Sequence, residues 1–262
     1  MTAPALDGRL AMVTGGSSGI GRTVSLALCA AGATVLAVGR DQDRLAAAVA
    51  DVRPEGRLVA IQCDLADDDA VRDLASRVEH ERGALDILIH AAGEIAFGRV
   101  DEAAIDDLDR LHAVNLRAPY LLTQALLPFL ARAGGHIVFV NSSAGIRPSA
   151  GVAAYGATKH ALRGLADALR DEVNPLGVRV TSIYPGRTRT PLQAQVHAWE
   201  GRDEMPDELL DPEDIASMVV ALVTLPDRAE VTELRIRPAY PPREGLSGRQ
   251  SRTDDGRGPQ AS

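Results

Sequence analysis

The chain has 262 residues, which suffices for one large domain, and 45% of them are apolar, which provides a sizeable core. Its net charge is −8 and only 3% of its residues are aromatic, so it lacks the positive surface and stacking rings of nucleic-acid-binding proteins and we expect no nucleic-acid partner. The N-terminal residues do not form a signal-peptide pattern and no apolar segment reaches the ~20 residues of a membrane span, so we expect a cytoplasmic protein with no membrane partner.

Short apolar runs rich in Val and Ile alternate along the chain with longer segments rich in Ala and Leu. The runs predict strands at residues 10–15, 34–39, 58–63, 85–91, 136–142, 178–184 and 230–236. The segments between the first six runs fit amphipathic helices, which indicates a parallel sheet covered on both faces. Right-handed crossovers then favour a doubly wound α/β sheet of about seven strands, a Rossmann fold, in a single domain at residues 1–240.

The composition changes after that domain. Residues 241–262 are rich in Gly, Pro, Arg and Ser and nearly lack apolar side chains. Such a segment cannot bury enough surface to offset its chain entropy, so we predict a disordered, dispensable tail.

Two cysteines, Cys29 and Cys63, lie in apolar surroundings and form no metal-type pair. We expect them to be buried, reduced thiols, and we expect no metal site.

The first predicted strand runs into the glycine-rich sequence VTGGSSGIGR at residues 13–22, which opens the first predicted helix. Glycines allow a tight turn and a close approach to a pyrophosphate, and a helix N-terminus offers free N–H groups with partial positive charge. A plain strand-to-helix loop has a similar composition, but the strand–turn–helix–strand context favours a dinucleotide site. The residues predicted to contact the dinucleotide here are Thr14, Gly15, Ser17, Ser18, Gly19, Ile20 and Gly21.

The second predicted strand ends at Gly39 and Arg40. A carboxylate at this position would accept a hydrogen bond from the ribose 2′-hydroxyl and repel a 2′-phosphate. Gly39 has no carboxylate and Arg40 offers a bidentate phosphate donor, so the sequence favours NADP(H) as cofactor. The alternative is that Arg40 is only a solvated charge in a loop, in which case NAD(H) remains possible. Arg22, in the first turn of the helix, either helps Arg40 to bind the phosphate or lies on the surface. Asp41 is expected to start the following helix.

Tyr155 and Lys159 stand four residues apart in the helix-favouring sequence AAYGATKHAL. This spacing places both side chains on one helix face, either as a surface pair or as a tyrosine whose ionised form the lysine stabilises. The phenol pKa is near ~10 in water, so a role as acid/base near neutral pH needs roughly 3–4 kcal/mol of stabilisation. Ser142 ends the fifth predicted strand, at the sheet edge where ligands bind. Its hydroxyl either bonds a substrate oxygen that Tyr155 protonates or caps the next turn, and Ser143 is the neighbour with which it could be confused.

These motifs resemble the short-chain dehydrogenase/reductase family in kind and order. The matching features are TGxxxGxG at 14–21, a serine thirteen residues before the tyrosine, YxxxK at 155–159 and PGRTRT at 185–190. The resemblance covers about residues 8–238. It implies an enzyme that transfers a hydride between a nicotinamide and a small-molecule carbonyl or alcohol.

The family resemblance also implies roles for individual residues. Ser142 would orient the substrate oxygen, Tyr155 would be the general acid/base, and Lys159 would hold the nicotinamide ribose and lower the pKa of Tyr155. Asn115 would be a relay residue and completes the predicted catalytic set. Further cofactor contacts implied by the family are Asp64, Leu65, Ala91, Ala92, Gly93, Pro185, Gly186 and Thr188.

The fourth predicted strand ends in HAAG at residues 90–93, where many family members have two asparagines before Ala-Gly. The small residues Ala92 and Gly93 keep backbone access to the cofactor. His90 is therefore interpreted as a structural residue of the strand end.

Asn115 and Pro119 lie in a helix predicted to begin near Asp101. Proline has no N–H, so the Asn115 carbonyl loses its helical donor and becomes available to a water leading to Lys159. The alternative is a simple packing kink.

The helix beginning near Val152 carries small residues that permit close helix approach: Gly156, Ala157, Ala161, Gly164 and Ala168. The family resemblance implies that this helix and the one holding Asn115 pack across a twofold axis, so we predict a homodimer or homotetramer.

Two alternatives to a reductase remain at this stage. The first is a dinucleotide-sensing regulator of the same fold, which would be expected to lack the tyrosine or the lysine found here as Tyr155 and Lys159. The second is an enzyme of the same fold that catalyses epimerisation or dehydration. The predicted lid at residues 189–210 combines many charged residues with Trp199 and Met205. Each of these two side chains either packs the lid against the rest of the domain or contacts the substrate.

Overall fold

The structure is a computed structural model that describes residues 5–52 and 56–239, with only the backbone of residues 79–82. The predicted tail, and with it the end of the predicted domain at residue 240, lies outside the described residues. Within them the strands are β1 Leu10–Thr14, β2 Thr34–Gly39, β3 Arg57–Gln62, β4 Ile87–His90, β5 His136–Val140, β6 Arg179–Pro185 and β7 Glu233–Ile236.

Eight α-helices connect or follow these strands in the described residues. They are α1 Gly19–Ala30, α2 Gln42–Ala50, α3 Asp68–Arg82, α4 Ile105–His112, α5 Ala118–Ala133, α6 Ala153–Val173, α7 Pro191–Glu200 and α8 Pro212–Val223. A π-helical turn at Ala113–Arg117 joins α4 to α5, and short 3-10 turns lie at Ser143–Gly145, Asn174–Leu176 and Pro206–Glu208.

The seven strands form one sheet in the order β3-β2-β1-β4-β5-β6-β7, with every pair parallel. This order reverses direction between β1 and β4, so their carboxyl ends border a crevice. The predicted doubly wound fold is confirmed, and every predicted strand has its counterpart.

The core lies on both faces of the sheet because alternate strand residues point in opposite directions. Leu10 and Met12 of β1 pack with α3, α5 and α6 on one face, whereas Ala11 and Val13 pack with α1 and α8 on the other. All five residues of β1 are buried, as expected for a parallel strand covered twice.

Both cysteines are free and buried, as predicted. Burial raises the pKa of each thiol to about 11, so both are weakly reactive. In the described residues no group of three or more His, Cys, Asp or Glu side chains has an arrangement that would hold a metal ion. None of the described helices is long and apolar enough to cross a membrane.

The helix predicted to begin near Asp101 starts instead at Ile105, so this expectation was wrong by one turn. The N–H of Gly98 donates to the carbonyl of Gly151 at 2.9 Å, and Arg99 forms an ion pair with Asp101 at 3.0 Å. These contacts hold the chain before Ile105 in a turn.

Candidate active site

A cleft of about 510 Å3 opens at the carboxyl edge of the sheet. Every predicted catalytic or cofactor-binding residue lines it except Thr14 and Asn115. Thr14 lies behind the wall, where its hydroxyl accepts from the N–H groups of Ala91 and Ala92 at 3.2 Å each. This pair of bonds fixes the end of β1 to the turn after β4.

The glycine-rich turn has the close backbone packing that the sequence predicted. Gly15 has φ +69°, and a Cβ on it would lie 2.8 Å from the backbone nitrogen of Ala92. A Cβ on Gly21 would lie 2.3 Å from the Gly15 carbonyl oxygen. No larger residue fits either position without moving the backbone.

The N-terminus of α1 is open to an anion. Its cap residue Ser18 makes no side-chain capping bond, and its first turn holds no acidic residue. The neighbouring helices α2 and α3 are instead capped by the carboxylates of Asp41 and Asp67. Uncapped N–H groups at a helix start suit a phosphate, so these residues fit the pyrophosphate of a dinucleotide.

The end of β2 presents Arg40 to the same cleft, with 69% of its side chain exposed. Asp41 caps α2 by accepting from the N–H of Arg44 at 3.0 Å, as predicted. Arg22 forms an ion pair with Asp51 and does not line the cleft. The second cation of this region is Arg44, which does line it, and the sequence reasoning missed it.

The helix α6 brings Tyr155 and Lys159 together inside the cleft wall, with exposures of 7% and 3%. The ammonium nitrogen of Lys159 lies 5.9 Å from the centroid of the Tyr155 ring and donates to the Val140 carbonyl at 3.3 Å. The Ser142 hydroxyl accepts from the N–H of Ala144 at 3.1 Å and so caps the 3-10 turn at Ser143–Gly145, as its alternative interpretation expected. Ser142 also acts on the Tyr155 phenol, whose pKa it lowers. Exposed Ser143 has no such link to Tyr155 in its described contacts.

Burial sets the ionisation of this pair. It raises the pKa of Tyr155, an effect that the nearby Ser142 only partly opposes. It also lowers the pKa of Lys159 to about 8. In the polypeptide without nucleotide the pKa of Tyr155 is therefore raised, because desolvation outweighs the opposing effect of Ser142. A lowering by Lys159 with the nicotinamide bound beside it stays a prediction.

Asn115 is fully buried in the π-helical turn, and the polar atoms of its side chain are hydrogen-bonded to neighbouring residues. Its Oδ1 accepts from the N–H of Glu94 at 2.8 Å, and its Nδ2 donates to the Glu94 carbonyl at 3.0 Å and to the Thr158 hydroxyl at 3.1 Å. Pro119 cannot donate to the Asn115 carbonyl, as expected. A relay through Asn115 would therefore use its main-chain oxygen.

His90 is buried, and its Nε2 lies 2.9 Å from the Thr123 hydroxyl. Its ring stacks on Phe139 with centroids 4.9 Å apart. Burial lowers its pKa to about 3, so the ring stays neutral. These contacts support the structural role assigned to it.

The predicted lid contains α7 and the 3-10 turn that follows. Trp199 packs the lid onto the body, since its ring stacks on Phe97 at 5.1 Å and a Cβ on Gly151 would lie 2.4 Å from it. Trp199 also lines the cleft, whereas Met205 is 54% exposed. Arg187 holds Glu200 at the end of α7 through two bonds of 2.7 and 2.5 Å.

Several cleft residues were missed by the sequence reasoning. The most informative are Glu94, Arg187, Thr190 and Glu200. Thr190 caps α7, accepting from the N–H of Gln193 at 3.2 Å, and lies against Gly19. Its place in PGRTRT, two residues after Thr188, was the available signal.

Comparison with known proteins gives a consistent result. A family model described as short chain dehydrogenase matches residues 9–201. An uncharacterized short-chain type dehydrogenase/reductase of Sinorhizobium fredii is 34% identical over 234 residues, covering 87% of this chain and 91% of that protein. An uncharacterized oxidoreductase of Staphylococcus epidermidis is 32% identical over 231 residues, covering 88% and 97%.

Solved structures extend this likeness to the fold. A short chain dehydrogenase from Burkholderia cenocepacia, in complex with NADP, is 36% identical with a TM-score of 0.78 and covers 89% of this chain and 98% of its own. A metagenomic short-chain oxidoreductase in complex with NADP is 34% identical with a TM-score of 0.77, covering 90% and 99%. Both likenesses include nearly all described residues.

Proposed function

The chain belongs to the short-chain dehydrogenase/reductase family, and we propose that it transfers a hydride between NADP(H) and a small carbonyl or alcohol substrate. The observation that carries this proposal is the buried Tyr155 and Lys159 with Ser142 in the same cleft, which also contains the glycine-rich turn and Arg40. NADP in two structural relatives supports the choice of cofactor class.

In this proposal the bound nicotinamide supplies or accepts the hydride at the substrate carbon. Ser142 orients the substrate oxygen by hydrogen bonding. The phenol of Tyr155, kept protonated by burial, donates its proton to that oxygen during reduction and recovers one during oxidation. Lys159 would hold the ribose and return a proton to Tyr155. A water bound to the Asn115 main-chain carbonyl would resupply Lys159, because the carbonyl oxygen itself carries no proton.

Catalysis distinguishes this enzyme from the dinucleotide-sensing regulator. We expect the protein to oxidise NADPH with at least one member of a panel of aldehydes and ketones, followed by nicotinamide absorbance. Tight cofactor binding without turnover on any carbonyl would favour the regulator.

The 2′-phosphate site is proposed at Arg40, with Arg44 beside it. We expect kcat/KM to favour NADPH over NADH at least ~10-fold, a difference of about 1.4 kcal/mol, and Arg40→Ala to lose most of this preference. Arg22→Ala is the matched control, because Arg22 pairs with Asp51 away from the cleft. Equal activity of the unmutated protein with NADH would assign it to the NAD-dependent alternative.

A homo-oligomer is also proposed. The outer face of α6 is exposed at Ala157, Ala161, Gly164 and Ala168, and a Cβ on Gly164 would meet nothing within 4 Å. Gly156 instead faces the body, where a Cβ would lie 2.6 Å from Pro148. Helix α4, which contacts α6, and helix α5 also expose large apolar side chains, Ile105 by 67% and Tyr120 by 54%. A second copy of this chain is the occupant proposed for this surface.

The oligomer is tested by light scattering at micromolar concentration. We expect the mass of a dimer or tetramer, and we expect Ala161→Arg to give a monomer because an arginine prevents close helix approach. Ala47→Arg, on the exposed face of α2, is the control that should not change the mass. A monomeric unmutated protein would contradict the proposal.

A further inference from the structure

The cleft contains an ion pair between the cofactor-side arginine and a carboxylate. Arg40 Nη1 lies 2.5 Å from Glu94 Oε1, and the Glu94 side chain is only 16% exposed. Glu94 lies in the loop after β4, four residues beyond His90, and its carboxylate reaches the arginine that follows β2. The guanidinium that would bind a 2′-phosphate is therefore already paired with an anion.

A second arginine holds the other oxygen of the same carboxylate. Arg110 Nε, on α4, lies 3.3 Å from Glu94 Oε2. If Arg40 turned towards a phosphate, Glu94 would keep this partner and its negative charge would stay compensated. Arg40 can thus leave Glu94 for a phosphate without leaving the mostly buried carboxylate unpaired.

The backbone of Glu94 cannot move away easily. The Asn115 side chain binds both its N–H and its carbonyl, at 2.8 and 3.0 Å, and Asn115 is itself fully buried. The backbone of Glu94 is therefore anchored at a place from which its carboxylate reaches Arg40. A 2′-phosphate must compete with this carboxylate for the guanidinium, and a 2′-hydroxyl need not.

We propose that Glu94 is a specificity-determining residue that weakens binding of the 2′-phosphorylated cofactor by occupying Arg40. This inference rests on the proposed role of Arg40 in binding NADP(H). If so, Arg40 favours NADP over NAD less strongly in this protein than it would without the carboxylate of Glu94.

Calorimetric titration of the full chain with NADP+ and with NAD+ tests this role without turnover. We expect Glu94→Gln to tighten NADP+ binding about three- to five-fold, the size typical of a partly exposed ion pair, and to leave NAD+ binding unchanged. The amide retains the backbone clamp to Asn115 and most of the side-chain packing. Asp107→Asn is the control, because it removes the same charge next to Arg110 (2.9 Å) without contact to Arg40.

A double-mutant cycle separates this inference from the proposed cofactor. With Arg40→Ala present, Glu94→Gln should no longer affect NADP+ binding. If the unmutated chain prefers NADP+ through Arg40 but Glu94→Gln changes neither cofactor, or changes both equally, the role of Glu94 is overturned and that of Arg40 stands. If Arg40→Ala leaves the NADP+/NAD+ ratio unchanged, the proposed phosphate site fails, and the role of Glu94 fails with it.

Discussion

Tyr155→Phe is expected to cut turnover at least ~10²-fold while leaving the affinity for NADPH nearly unchanged. The phenyl ring preserves the packing of a side chain that is only 7% exposed. What disappears is the hydroxyl that would carry the proton. Single-turnover kinetics with a saturating carbonyl substrate, together with calorimetric titration of NADPH, measure the two quantities separately.

Tyr184→Phe provides the matched control for this experiment. Tyr184 is 2% exposed, and its hydroxyl donates to Glu233 at 3.3 Å, but it does not line the cleft. The same atom is removed from a buried tyrosine in both variants, so only the role of the hydroxyl differs. Turnover close to that of the unmutated protein in Tyr155→Phe would refute its assignment as acid/base.

The pH dependence follows from the direction of the Tyr155 shift. Burial raises its pKa, so the phenol stays protonated at neutral pH and is ready to donate in the direction of carbonyl reduction. Alcohol oxidation requires an acceptor instead. We therefore expect oxidation to rise with pH over a range where reduction does not.

Much of the fold and site was readable from the sequence because it depends on local signals. The apolar runs located the strands to within a few residues, and the glycine pattern located a turn whose packing tolerates no larger residue at Gly15 and Gly21. The spacing of Tyr155 and Lys159 correctly indicated a shared helix face. These features follow from backbone geometry and side-chain period alone.

The remaining features depend on how distant segments meet. Glu94 and Arg40 are 54 residues apart in the sequence, and no local sequence pattern predicts that they form an ion pair. Arg187 forms its ion pair with Glu200 only because helix α7 turns back beside the cleft. The rise that burial causes in the pKa of Tyr155 without nucleotide could not be predicted either, because helical spacing identifies the neighbour but not the extent of desolvation.

Lys159→Met is expected to reduce turnover strongly and to stabilise the protein measured without nucleotide. Lys159 is the only lysine in the chain, and it is 97% buried with a main-chain carbonyl as its hydrogen-bond acceptor. Burial lowers its pKa from 10.5 to about 8, a cost on the order of 3 kcal/mol at neutral pH. The loss of one hydrogen bond offsets about 1 kcal/mol of this gain. We expect Tm to rise by roughly 3–6 °C and turnover to fall at least ~10²-fold.

The sign of the pH effect makes this prediction specific. Between pH 8 and 10.5 the unfolded chain binds more protons at Lys159 than the folded chain, so the stability of the unmutated protein rises with pH in that window. Methionine does not titrate, and the Tm advantage of Lys159→Met should therefore be largest at pH 7 and shrink towards pH 10. Because the chain has one lysine, lysine labelled with 13C at Cε gives a single resonance that reports its pKa directly. A measured pKa near 10.5, or a Tm difference that does not change with pH, would show that burial does not destabilise the charged form. The lysine would then be held at the cleft without the stability cost proposed for it.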